Sequence, residues 1–445
     1  MIADYEAVTK VRWSSLDPSQ RFPIHNPATG AIITHLCASS AQEVDGAVQA
    51  AEVAYQTIWR WLPSSARSAY LFKCGDALEP RKEELAELLC IENGKPKVDA
   101  LEFDINFLRG PINTTVIYEP FGVCAGILSF NWPPIHFGGK VAPALAAGNV
   151  MIIKPGEQTP LPVLRICEII SEVLPRDVVQ VMPGLGPEVP QALINHELVK
   201  MVSFTGSNVS GSKVAEAAAK TITPVVLELG GKNAFVVFDD VESIDSAVST
   251  ALEGAFFNKG EAYSCFENIS AEGSVSKAQQ EKVLGYLEKA KQSKATFAAQ
   301  GQVTADPAYK NGFFVPATLI TDVTRDMSIA QEDMFGALVT VTPFETEEEA
   351  IDIVNESKYG LTSIIFSSNQ ERCWRYSKKV DVGMVWVNNY FRNVLGTLFG
   401  EAKESGYGRE HCMETLREWS RAKTVNQPSG FGEIPSWRAV KDIFG

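Results

Sequence analysis

No apolar run in this chain is long enough to cross a bilayer, and the stretch from Met1 to Trp13, which carries Asp4 and Glu6, lacks the apolar segment of a secretory signal. A soluble, cytoplasmic protein is the expectation. Positive charge is in deficit: 40 Lys and Arg stand against 54 Asp and Glu, a net charge of -14. Such a field repels phosphate backbones and anionic lipid, which argues against nucleic acid and membrane partners. Histidine is scarce, and the eight cysteines form no CxxC pair and have no histidine at metal-ligand spacing. Reduced thiols and no metal site are expected. Internal repeats and low-complexity blocks are also missing. What is present is a chain of 445 residues with an ordinary globular balance of apolar and charged side chains, enough for two or three domains.

From Gly122 onward, short apolar runs alternate with amphipathic stretches. The segments 122–130, 149–155, 178–184, 199–206, 224–231 and 233–240 read as strands rich in β-branched residues. Between them, 161–173, 210–220 and 243–256 carry apolar positions at helical spacing. This alternation predicts a doubly wound parallel sheet. After Ser274 a helix is expected with Val283, Leu284 and Leu287 on one face, followed by further strands at 313–319, 337–344, 362–367 and 383–388. These suggest a second α/β domain. The last segment, 427–445, rich in Pro, Gly and Trp, reads as an extended tail docking through Trp437 and Phe444.

Four places along the chain carry chemistry. Asn131 follows a strand and precedes Trp132-Pro133-Pro134, whose stiff backbone would fix an amide able to stabilise an oxyanion; a helix-capping role is the alternative. Lys154 and Glu157 end a strand, where open α/β sheets bind ligands, or are two solvated charges. Gly206, Ser207 and Gly211 open a helix, so backbone N–H groups and the positive helix end could face a pyrophosphate. The pair Gly184 and Gly186 reads instead as an ordinary strand-to-helix turn. Glu228 ends an apolar strand before Gly230-Gly231; burial beside Val226 and Leu229 would raise its pKa toward that of a general base, unless it only caps the turn.

The blocks ILSFNWPP (127–134), Lys140, APALAAGN (142–149), IKPGEQTPLP (153–162), SFTGSNVSG (203–211), LELGGKN (227–233), FFNKG (256–260), QEDMFGAL (331–338) and LFGEAKESGYGRE (398–410) occur in order. Together they resemble the aldehyde dehydrogenase superfamily over about three quarters of the chain. The resemblance implies an NAD-binding domain over 1–227, to which part of 398–425 returns, and a catalytic domain over 228–397, with 426–445 as the tail. It implies that Asn131 donates to the oxyanion of the tetrahedral adduct and that Glu228 activates water against a thioester. It further implies that Lys154 and Glu157 hold the adenosine ribose and that the loop Gly206, Ser207, Gly211 faces the pyrophosphate. Phe130, Leu229, Asp333 and Phe335 would complete the cofactor site, with Phe335 against the nicotinamide and Asp333 on its ribose. A carboxylate at Glu157 favours NAD over NADP. Phe130, Phe137 and Phe266 suggest an apolar channel for an aldehyde.

The chain departs from the pattern at the nucleophile. No gap separates LELGGKN from FFNKG, so Tyr263 falls where the family has cysteine, and Cys265 lies two residues on. A phenol is mostly neutral near neutral pH and is a poor substitute for a thiolate. In an extended loop Cys265 would stand on the same side as Tyr263 but about 6 to 7 Å away. Asn268 replaces an arginine, Asp333 a glutamate and Ala337 a proline, while Leu398 and Glu401 alter the PFGG block. Two stretches are short: between Asn93 and Glu119, which feeds the oligomerisation strands and leaves the expected homodimer in question, and between Ala271 and Lys277. Three readings stay open. One is an NAD-dependent aldehyde dehydrogenase using a displaced Cys265, and the second is a catalytically impaired NAD-binding relative. The third is a non-redox enzyme using Tyr263 and Glu228 for proton transfer.

Overall fold

A computed structural model describes residues 21–59, 62–94, 115–261, 272–303, 305–390 and 396–425. Its largest sheet has six strands in the order Gly406–Tyr407, Val225–Glu228, Val199–Thr205, Val123–Ile127, Val150–Lys154, Val179–Val181. The last five run parallel, and Gly406–Tyr407 is antiparallel to its neighbour. Every residue of Val123–Ile127 and Val150–Lys154 is buried. Helices on both faces leave these strands no solvated side, which is why they read as unbroken apolar runs. Close packing is tight enough that a Cβ on Gly126 would lie 2.6 Å from Ile153 Cδ1.

Helices Pro133–Ala147, Leu161–Ser171, Glu188–Asn195 and Asn208–Ala219 follow successive strands. The helix Ala41–Thr57 also packs on this sheet, begun by a capping box between Ser40 and Glu43. A second, three-stranded parallel sheet joins Met384–Val387, Thr362–Phe366 and Ala234–Val237. A third joins Thr296–Gln300, Thr318–Thr321 and Leu338–Thr340. The chain then returns: Gly406–Tyr407 pairs with Leu227 and Glu228, and Ser420–Val425 runs antiparallel to Thr115–Pro120.

Two packing expectations change. In the helix Lys277–Gln292 the buried face is Val283, Tyr286, Leu287 and Ala290, whereas Leu284 is exposed. At about 100° per residue the four buried positions span about 100° of the helix surface, and Leu284 lies roughly 60° beyond the nearest of them. Phe137 does not line a channel; it is buried in the core of the six-stranded sheet. The expected tail and the positions Tyr263, Cys265, Phe266 and Asn268 lie outside the described residues.

Candidate active site

The parallel strands bring the candidates to one edge. Ile127 registers with Lys154 and with Phe204, and Thr205 registers with Glu228, so the turns after these strands open on the carboxyl side of the sheet. This is where open α/β sheets place ligands.

Asn131 is wholly buried, and it does not cap the helix after it, whose N-cap is Trp132 without a side-chain bond. Its carbonyl oxygen accepts from Asn258 Nδ2 at 3.2 Å and Asn93 Nδ2 at 3.4 Å, and the preceding carbonyl of Phe130 accepts from Asn93 Nδ2 at 2.8 Å. Its side-chain Oδ1 meets His136 Nε2 at 3.0 Å, while Nδ2 is buried with no hydrogen-bond partner among the described residues. Asn93 is fixed in turn by Lys259 Nζ, which donates to its carbonyl and to its Oδ1 at 3.1 Å and pairs with Glu261 at 3.2 Å. The buried Lys259 and Glu261 thus tie the segment that ends at Glu261, through Asn93, to Asn131.

Glu228 is 3% exposed. One of its oxygens accepts from Thr205 Oγ1 at 3.3 Å, and the other is buried without a partner among the described residues. Burial pushes its pKa well above the usual carboxylate range, and the neighbouring Glu410 adds to this against the opposing charge of Lys140. Lys140 donates to Glu410 Oε1 at 2.7 Å and to Ser203 Oγ at 2.8 Å. Burial works to raise Glu410 as well, but Lys140 and His411 outweigh it and bring Glu410 down to about 2. The site therefore holds a fixed ion pair, Lys140 with Glu410, against a carboxyl that gives up its proton only reluctantly.

A third carboxyl joins this cluster. Glu401, at a position noted in the sequence only as a departure from PFGG, is 4% exposed and has no partner among the described residues for either oxygen. Burial, then the charges of Glu228 and Glu410, hold its pKa well above the ordinary value.

The residues expected to hold a cofactor also make contacts within the protein. Lys154 is buried, and Glu157 Oε2 accepts from the N–H of Gly186 at 2.9 Å, so the turn containing Gly186 orients the carboxylate. The N–H of Gly206 is bonded to Glu228 O and that of Gly211 to Ser207 O. Gly211 is needed for packing instead: a Cβ there would lie 2.3 Å from Leu229 Cδ2, and Leu229 itself is core. An anion at this helix would meet the first N–H groups, at Asn208 and Val209. Ser207 caps the helix by accepting from Ser210 N–H.

Burial raises the pKa of Asp333 against the charges of Lys282 and Lys232, and its carboxylate lies so close to Gly230 that a Cβ there would be 2.7 Å from Oδ2. Phe335, at φ +51, stands edge-on to Phe130 with ring centroids 5.8 Å apart.

Sequence reasoning missed His136, Asn93, Lys259 and the partnership of Lys140 with Glu410. A signal was present for two of them. His136 and Lys140 are four residues apart in a helix that is otherwise mostly apolar, which puts both on one face.

Comparison with known proteins agrees with this fold. The model of the aldehyde dehydrogenase family matches residues 13–113, 109–275 and 267–425. The joins fall at the two stretches that read as short. Aldehyde dehydrogenase citD of Monascus ruber is 50% identical over 488 residues, covering 98% of this chain and 97% of the relative. That alignment is 43 positions longer than the 445-residue chain, so the relative contains segments without a counterpart here. An aldehyde dehydrogenase of Didymella fabae is 47% identical over 97% of each chain. Among solved structures, the NAD+ complex of an aldehyde dehydrogenase from Bacillus cereus matches with a TM-score of 0.84 and 31% identity, covering 91% of this chain and 92% of that one. PnpE from Pseudomonas sp. WBC-3 matches with a TM-score of 0.85 and 32% identity, covering 93% and 96%. On its motifs, fold and relatives, this chain belongs to the aldehyde dehydrogenase family.

Proposed function

We propose that this protein oxidises an aldehyde to a carboxylic acid with NAD, using Cys265 as the thiol nucleophile. The observation that carries the reading is a pair of buried polar atoms at one sheet edge with no hydrogen-bond partner among the described residues: Nδ2 of Asn131 and Oε1 of Glu228. Leaving two such atoms unsatisfied costs about 1 to 3 kcal/mol each, so they are explained best by a substrate oxyanion and a water that the site is built to receive.

Attack of a thiolate on the aldehyde carbon makes a tetrahedral adduct, and the Asn131 N–H2 would donate to its oxygen. After oxidation the acyl group is held as a thioester. Glu228 would then take a proton from water as the water oxygen attacks the acyl carbon, and the thiolate would leave. Glu410, paired with Lys140, keeps its charge beside Glu228 and raises the basicity of Glu228.

The residues present fit a dinucleotide. The Cβ-free approach at Gly156, where an added Cβ would lie 2.8 Å from Phe130 Cα, closes the turn that carries Lys154 and Glu157 onto the loop carrying Phe130 and Asn131. Lys154 and Glu157 would hold the adenosine ribose and the helix start at Ser207–Val209 the pyrophosphate. Phe130 and Phe335 would wall the nicotinamide. Bound NAD supplies the hydride acceptor. The carboxylate of Glu157 disfavours a 2′-phosphate, so NAD is proposed over NADP; the Bacillus cereus relative was solved with NAD+.

A second reading is favoured by one observation, the tyrosine at position 263. In that reading the protein binds NAD and turns over no aldehyde. NADH formation over a panel of aldehydes separates the two. Turnover abolished by Cys265→Ala supports the dehydrogenase. A silent native chain that gains activity on Tyr263→Cys, with NAD binding seen by calorimetry, supports the second reading.

A further inference from the structure

The role proposed for Asn131 depends on which end of its carboxamide faces the substrate. The two ends of a primary amide are close in size, so packing alone does not choose between them; a hydrogen bond does. Turned by half a rotation, the group would aim its oxygen where its N–H2 now points and repel the oxyanion it is meant to stabilise.

The backbone of Asn131 is held independently of this choice, through Asn258 and Asn93 on its carbonyl and through Asn93 and Thr159 on the carbonyl of Phe130. Among the described residues the side chain has one partner. His136 Nε2 lies 3.0 Å from Oδ1, and Nδ2 is buried without a hydrogen-bond partner among them. An amide oxygen can only accept, so Nε2 must carry a proton and donate it. The imidazole is confined by burial. His136 is 4% exposed, its backbone N–H donates to Trp132 O at 2.9 Å within the helix that follows Asn131, and it lies one turn before Lys140.

We propose that His136 is the positioning residue of the oxyanion site: its Nε2–H donates to Asn131 Oδ1 and thereby turns the Asn131 N–H2 toward the reacting carbonyl. The inference rests on the oxyanion role given to Asn131 under the proposed function.

Two readouts on the full-length chain test it. With asparagine labelled by 15N, the side-chain amide pair of Asn131 is identified by its loss in Asn131→Asp. The pair is expected to shift in His136→Leu, and in His136→Phe, which keeps a ring without a donor and serves if the leucine variant does not fold. His136→Gln, whose amide nitrogen can occupy the place of Nε2, is expected to restore it. In hydrolysis of 4-nitrophenyl acetate, His136→Leu is expected to lower kcat by roughly ten- to a hundredfold, below or near the loss seen when an oxyanion donor is removed. KM is expected to change less than about twofold, and His136→Gln to recover most of the rate. An amide pair unmoved in both donor-free variants overturns the proposal, whatever happens to the rate. If the native chain hydrolyses no ester while the amide pair responds as expected, the positioning role stands and the proposed function fails.

Discussion

Replacing Glu401 with glutamine is expected to stabilise the fold by an amount that grows with pH. The carboxyl is 4% exposed, and neither oxygen has a hydrogen-bond partner among the described residues. Burial, with Glu228 and Glu410 nearby, raises its pKa well above the ordinary value in the folded state. In the unfolded chain it titrates near the usual glutamate value of about 4.3. Between those two values the folded protein binds one more proton than the unfolded one, so wild-type stability falls as pH rises across the window. The loss is about 1.4 kcal/mol per pH unit, or roughly 2 to 3 kcal/mol from pH 5 to pH 7 while Glu401 keeps its proton in the folded state. Glutamine has nearly the same shape and does not ionise. Urea unfolding of both proteins at intervals between pH 5 and 8 measures the difference. It is expected to be small at pH 5 and to widen toward pH 8 in favour of the variant. A constant difference across that range would refute the reasoning, because it would mean that Glu401 is solvated or paired in the folded state.

Other consequences follow from the same geometry. Lys140→Met strands Glu410 beside Glu228 without its main counter-charge. A loss of about 3 to 5 kcal/mol is expected, much of it recovered by adding Glu410→Leu, as chemical denaturation of the two single variants and the double would show. Glu157→Gln removes the carboxylate that Gly186 orients, and calorimetry is expected to show weaker NAD binding with a gain for NADP. Ser207→Ala removes a helix N-cap and is expected to cost about 1 kcal/mol, read as a lower Tm.

The sequence made the central sheet legible because its strands are buried on both faces. Val123–Ile127 and Val150–Lys154 could be found as apolar runs of strand length without knowing their neighbours. The placement of Asn131, Glu228, Lys154 and Glu157 was legible for a related reason, since Lys154 and Glu228 end strands of this sheet and Asn131 and Glu157 follow them, at its carboxyl edge. Roles set by distant contacts were not. Asn93 and Lys259 are 166 residues apart and meet only because the fold brings a helix end under the loop after Phe257. Gly211 looked like a phosphate-loop glycine, yet the pressure on it comes from Leu229, which lies across a turn. Glu401 carries no local sign of burial, because an acid in a short turn-rich segment reads as solvated. Asp333 was expected on a ribose, yet its carboxylate lies against the Gly230–Gly231 turn, a contact that one missing methylene does not reveal in sequence.

The most direct test of the account is to find which atom becomes acylated. Incubating the native chain with 4-nitrophenyl acetate, quenching in acid and sequencing the modified peptide by mass spectrometry locates the acetyl group. The account predicts one acetyl on Cys265, absent in Cys265→Ala. An acetyl on Tyr263, or no adduct from a folded chain that forms NADH from an aldehyde, would contradict it.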